Sequence, residues 1–267
     1  MRKGFISLCV LWLWVAALPC GAQFMTSLQP QTVQEFDTYI KRVETELEQR
    51  WSGKRPFLSV DDSPSERAKV LAGDLWIQPG DPQNPIAIYQ GLIHDWVGAI
   101  FIPRVSIEKV LDILQNYDRH QQIYTEVKRS KLLKRNGNDM TGYWRLERKQ
   151  SIITIVLDVT QDTHWKELAP GKWVCRAYAT NISEVEHPGS SREKILPPGE
   201  GRGFLWRLDA YWSLEATNGG VLAESRTLSL TRNVPDVLAW AIQPFLQTIP
   251  KESLAGTLRH TRDAAER

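Results

Sequence analysis

The sequence predicts an α+β fold in which a curved antiparallel β-sheet wraps around one long C-terminal α-helix. Three observations carry this. Residues 92–102 are β-rich, and much of 127–230 alternates apolar with polar side chains at period two, the pattern of strands with one face covered and the other wet. Turn chemistry punctuates the alternation at Asn136-Gly137-Asn138, Pro170-Gly171 and Asn218-Gly219-Gly220. After Asn233 the period lengthens. Val237, Leu238, Ala241, Ile242, Phe245, Leu246 and Ile249 recur at spacings of three and four, the mark of an amphipathic helix. Pro235 suits its first turn, Pro244 should bend it, and Pro250 should restart it, with Leu254, Leu258, Thr261 and Ala265 continuing one face.

The chain opens with a secretion signal (residues 1–22). Arg2 and Lys3 form a charged start, Phe5 to Val15 an apolar core, and Cys20-Gly21-Ala22 a cleavage site that predicts a cut before Gln23. The apolar core falls short of the roughly 20 residues needed to span a membrane. Export to a periplasm or to the outside is therefore expected. Of the 33 basic residues, Arg2 and Lys3 leave with the signal, so 31 then face 31 acidic ones. A neutral mature chain gives no reason to expect nucleic acid as a partner. Cys9 and Cys20 leave too, so Cys175 remains alone, and an intramolecular disulfide is excluded. Stability must come from a core, to which nine of the 11 tryptophans contribute.

Residues 23–85 read as a helical extension and linker ahead of the main domain, 86–267. Thr32-Val33-Gln34-Glu35 has the form of a capping box, with Val33, Phe36, Ile40, Val43 and Leu47 on one face behind it. Ser63-Pro64-Ser65-Glu66 opens a second, shorter helix that ends near Gly73, and QPGDPQNP (78–85) reads as loop. In the main domain a strand (92–102) ends at Pro103. Ser106 then caps a helix bearing Ile107, Val110, Leu111 and Leu114, and a run of about six antiparallel strands follows.

Small residues on two inner faces, Cys175/Ala177/Ala179 and Val221/Ala223/Ser225/Thr227, leave two options beneath the terminal helix: close packing or a void. The void would be an apolar ligand pocket. Its lining, by inward parity, is Trp144, Leu146, Ile155, Leu157, Trp173, Cys175, Ala177, Trp206, Leu208 and Trp212 from the sheet, with Trp240, Ile242 and Phe245 from the helix.

Catalytic chemistry is not legible. The five histidines are scattered without metal-ligand spacing, so neither a metal nor a cofactor is expected, and no catalytic residue is assigned. Asp158, Asp162 and His164 share one strand face, but it is the polar one. Cys175, between apolar neighbours, reads as a small core residue. The hairpin from Lys128 to Lys149 is strongly basic: a solubilising sheet edge, or a surface for transient contact with an anionic membrane. The stretch from His187 to Arg202 is long for a connection between paired strands, and is either a surface excursion or a flap with Ile195 and Leu196 at its tip.

The order of elements resembles that of the START-like (SRPBCC, helix-grip) superfamily, most nearly its secreted bacterial members. The segments that carry the likeness are GLIHDWVGAIFIP, YDRH, VEHPG, LPPG, GFLWRLDAYWSLE, GGV and SLTRNVPDVLAWAIQPFLQTIPKESLAGTLRHTR. The resemblance covers roughly residues 90–263. It implies a cavity between curved sheet and terminal helix that holds a hydrophobic small molecule or lipid. Since some members are cyclases or hydrolase-like enzymes, it also implies one alternative, an enzyme using the same cavity; the residues themselves leave another, an interaction module whose core is filled by its own tryptophans and whose binding surface is the helices of 24–85. The resemblance supplies no shared catalytic set to carry over.

Overall fold

The computed structural model describes residues 25–150, 153–233 and 236–267, apart from the side chains of Gln150, Ile153 and residues 236–247; the predicted signal lies outside them. After a short strand β1 (Thr26–Ser27) come α1 (Pro30–Trp51), α2 (Pro64–Leu71), β2 (Trp76–Pro79), β3 (Ile86–Ile88) and β4 (Gly91–Pro103). Then follow α3 (Ile107–Gln115), α4 (His120–Ile123), β5 (Val127–Asn136), β6 (Asp139–Gln150), β7 (Ile153–Ala169) and β8 (Lys172–Glu186). The chain closes with β9 (Lys194–Ile195), β10 (Glu200–Gly201), β11 (Arg207–Thr217), β12 (Gly220–Arg232) and α5 (Asp236–Ala265). The sheet is curved and antiparallel, in the order β2-β4-β12-β11-β8-β7-β6-β5, with β3 also on β4 and β9 on β8.

On the inner face lie α3 and the C-terminal half of α5. Leu254, Leu258, Thr261 and Ala265 are all buried there. Leu258 approaches so closely that a Cβ on Gly98 would sit 2.9 Å from its Cδ1. Gly142 performs the same service for Tyr117, whose ring would lie 2.7 Å from an added Cβ. The helix runs on through Pro250 without the expected restart. Ser106 accepts from Lys109 N at 3.3 Å and caps α3 as its sequence predicts.

The expectation of a wet outer face holds only for part of the sheet. Phe36, Tyr39, Ile40, Val43 and Leu47 of α1 pack against Ile93, Tyr211, Leu228 and Leu230, so β4, β11 and β12 are covered on both faces. Phe57, Leu58, Val60 and Val70 extend this outer layer over Ala99, Val174 and Leu222. Each fully buried side chain of this kind contributes about 1.5–3 kcal/mol, so the N-terminal region is part of the fold and not a loose appendage. Buried ions fasten it further. Arg226 donates to both carboxylate oxygens of Asp95, at 2.9 and 2.6 Å, and to Glu46 of α1 at 3.0 Å. Tyr39 donates to Asp95 at 2.8 Å. Glu224, pushed up by burial, accepts from the backbone N–H groups of Ser59 and Val60.

One local expectation fails here for an identifiable reason. Thr32 does not cap α1: the helix starts earlier, with Pro30 in its first turn, and Thr32 Oγ1 instead donates to Tyr89 O at 2.8 Å. The stretch 78–85 is loop from Gly80 onward, as its composition predicts, and it is held to the sheet. Asn84 Oδ1 accepts from Asp95 N at 2.8 Å, and the short strands β2 and β3 on either side pair with β4.

Asp209 lies on the outer face beneath α1, 8% exposed. Burial, and next the nearby Glu44, push its carboxyl up to about 7. A folded value above the ordinary one means that the stability it contributes is complete below about pH 4 and is lost as pH rises through about 7. Asp209→Asn is expected to raise the urea midpoint at about pH 8 and leave it unchanged at about pH 4. A midpoint raised equally at both would show that the charge on Asp209 is not the cause.

Candidate functional site: a cavity under the terminal helix

Between sheet and helix the molecule encloses a cavity of about 460 Å³, within the range of pockets that hold a drug-sized ligand. Strand alternation builds most of it. The register aligns Trp165 with Cys175, Cys175 with Trp212, and Trp212 with Ser225, one row across β7, β8, β11 and β12. The next row is Thr163, Ala177, Ala210 and Thr227. Because Cys175, Ala177 and Ala210 are small, the middle of the floor stays low, and this is where the space lies. Trp144 and Leu146 close it on β6, Ile155, Leu157 and Val159 on β7, and Ile249, Leu254 and Thr257 from α5.

The structure brings Trp144, Leu146, Ile155, Leu157, Cys175, Ala177, Leu208 and Trp212 together around this space, as parity predicts. Trp206 is a correction. It precedes the regular part of β11 and packs outward with Phe36 and Ile40, because the chain leaves the alternation before Arg207. Trp173 is half-buried at the β7–β8 turn against the core and does not line the cavity. The side chains of Trp240, Ile242 and Phe245 lie outside those described.

Sequence reasoning missed the aromatic end wall of Tyr117, His120 and Tyr124, which follows α3 in short helical turns without periodicity. His120 is stacked on Trp144 and hydrogen-bonded at both ring nitrogens. Nδ1 accepts from Trp144 Nε1 at 3.0 Å, and Nε2 donates to Ile113 O at 3.1 Å. Burial lowers its pKa to about 4, so it is neutral near pH 7. With both nitrogens engaged it has no free site to take a proton from a ligand. Tyr117 is bonded to Thr163 at 2.7 Å and Tyr124 to Thr261 at 3.1 Å. Burial pushes the Cys175 thiol far up, which suits an inert wall residue. Among the described residues no group of three or more His, Cys, Asp or Glu could hold a metal ion.

Charged lining residues gather at the solvent end. Arg148 of β6 donates to both Glu126 and Glu252, and Ser253 of α5 donates to Glu126 at 3.0 Å. This cluster ties α5 to the sheet across the mouth.

The segment after His187 is not a flap. Ile195 is on β9, paired to β8, while Leu196 is buried and Gly199 O accepts from Leu28 N. Glu184 fastens its far end by accepting from Arg202 N and Phe204 N. The basic hairpin is partly neutralised: Lys128 pairs with Glu147, Arg145 with Asp158 and Glu193, and Arg148 as above.

No family model matches this chain, and no curated protein matches it. Solved structures resemble it in shape. A STAR-related lipid transfer protein (fragment 25-204) from Xanthomonas axonopodis is 15% identical with a TM-score of 0.48, over 68% of this chain and 97% of that one. The Zhui aromatase/cyclase from Streptomyces sp. R1128 is 10% identical with a TM-score of 0.45, over 66% and 94%. Human STARD10 is 12% identical with a TM-score of 0.42, over 75% and 78%. The assignment itself rests on architecture: a curved antiparallel sheet closed by a long terminal helix over a cavity is the helix-grip fold, and this chain has it.

Proposed function

We propose that this protein binds a hydrophobic small molecule or lipid in the cavity under α5 and holds it without changing it chemically. The observation that carries the reading is the cavity itself, about 460 Å³ with an apolar floor and aromatic walls, where a filled core would have left no such space. Removing that surface from water supplies roughly 25 cal/mol for each Å² of ligand and wall buried, which suffices for binding without any charged contact. The engaged state of His120 and the raised thiol of Cys175 favour a carrier over an enzyme. Export through the signal at residues 1–22 belongs to the same proposal, with a mature chain beginning at Gln23. The ion cluster at the mouth would then open as cargo enters or leaves, and the unpaired lysines of the β5–β6 hairpin would meet an anionic membrane surface during the exchange.

The test is uptake of the neutral fluorescent hydrophobe N-phenyl-1-naphthylamine. Saturable enhancement at one site per chain, reversed by total lipid extract, is the expected result. Absence of saturable binding would overturn the reading, and chemically altered lipid recovered from the mixture would point to an enzyme.

A further inference from the structure

One lining residue interrupts the apolar floor without a partner inside the protein. Gln161 sits at the middle of β7, on the inward face between Val159 and Thr163, and lines the cavity. It is half-buried, and its carboxamide is neither enclosed nor hydrogen-bonded to any described residue. Its ladder neighbours are Gly142 on β6 and Ala179 on β8, and neither has the bulk to cover it. β8 carries one extra residue beside it, Thr180, whose hydroxyl donates to Thr160 O at 3.3 Å; such bulges bend a strand and re-aim the side chains around them. Gln161 is far from both ends of its strand, so the space that reaches its amide is the cavity itself.

The other polar groups of these walls differ. Tyr117, His120, Tyr124 and Thr163 are paired within the protein. The Trp165 indole N–H and the Ser229 hydroxyl are enclosed in the packing, out of a ligand's reach. Thr227 is half-buried, but a threonine can turn its methyl to the space, an option that a carboxamide lacks.

We infer that Gln161 anchors the ligand, an otherwise hydrophobic molecule with one uncharged group, a carboxamide or lactam, that donates to and accepts from this side chain at once; the inference deepens the binding reading above and rests on it. The donor inventory sets the chemistry. In Gln161, Oε1 accepts and Nε2–H donates, side by side. A ketone, ether or carboxylate only accepts, and would leave Oε1 taken from water without a partner, which is costly. Position argues against charge. Arg148, the guanidinium of the lining, pairs in the ladder with Ile155, six residues from Gln161 and about 20 Å along β7. A carboxylate beside Gln161 would be desolvated far from that counter-charge. The ligand therefore lies with its polar group against the floor and its apolar remainder toward the mouth.

The test uses the full mature protein and two ligands of one shape, 4-methylbiphenyl and biphenyl-4-carboxamide, each displacing N-phenyl-1-naphthylamine. The quantity read is the ratio of their affinities, compared between the wild-type protein and Gln161→Met, so that the carboxamide's cost of leaving water cancels. In the variant the carboxamide is expected to lose at least about tenfold against 4-methylbiphenyl, the scale of a polar group left without its partner. Unchanged binding of 4-methylbiphenyl shows that the variant keeps its cavity, and Gln161→Leu takes its place if that constant moves. Biphenyl-4-carboxylate should bind the wild-type protein more weakly than the carboxamide at about pH 8. A ratio that is the same in wild-type protein and variant overturns the inference and leaves the binding reading standing. A carboxylate held as tightly as the carboxamide overturns it too, because a cation would then be the anchor. Failure of the wild-type protein to take up N-phenyl-1-naphthylamine at all would remove both readings together.

Discussion

Replacing Arg226 by methionine is expected to cost about 3–5 kcal/mol of folding stability, the scale seen when one member of a buried ion pair is removed. Asp95 is fully buried, and Arg226 supplies two of the hydrogen bonds that hold its charge. Without Arg226 the carboxylate keeps only the Tyr39 hydroxyl and sits under α1 with no counter-charge. The loss should fall mainly on docking of α1, because Glu46 loses its partner at the same time. The double variant D95N/R226M, which removes both charges, should recover much of the loss. Urea unfolding measures both. A single-variant cost below about 1 kcal/mol would mean that Asp95 is satisfied by other groups and that the pair does not hold the N-terminal layer.

Filling the cavity from its floor should abolish binding at little cost in stability. Ala210 lies between Ala177 and Thr227 in one row, directly beneath the space. Ala210→Phe places a ring where the ligand would lie. Affinity for N-phenyl-1-naphthylamine is expected to fall roughly a hundredfold or more, while stability changes by no more than about 1 kcal/mol, because the ring enters empty volume instead of a packed core. Overpacking of a solid core typically costs about 1–3 kcal/mol. A large destabilisation with binding retained would therefore place the site elsewhere.

Much of this architecture was legible because turn and cap chemistry is local. Asn136-Gly137, Pro170-Gly171 and Ser106 mark boundaries that neighbouring residues decide, and β7 exposes its inward set from Ile155 to Trp165 by parity alone. Tertiary context hid the rest. β12 is ambiguous as a sequence, since its cavity face ends in Ser225, Thr227, Ser229 and Thr231 while its outer face ends in Leu228 and Leu230. The usual rule, apolar in and polar out, inverts there because α1 makes the outer face a second core. Trp206 was placed on the wrong face because the parity of Leu208 and Trp212 was extended past the start of β11 at Arg207. The aromatic end wall carries no period at all, and Tyr117 reaches the cavity only because Gly142 leaves room for its ring.

The central claim, that the space under α5 is a binding site, is tested most directly by native mass spectrometry of the mature protein purified from its own host. The spectrum is read first intact and then after extraction. The account predicts one equivalent of a hydrophobic small molecule or lipid on the wild-type chain, recovered unaltered and missing from Ala210→Phe. A wild-type chain that stays at its bare polypeptide mass, even after incubation with total lipid extract, would contradict it.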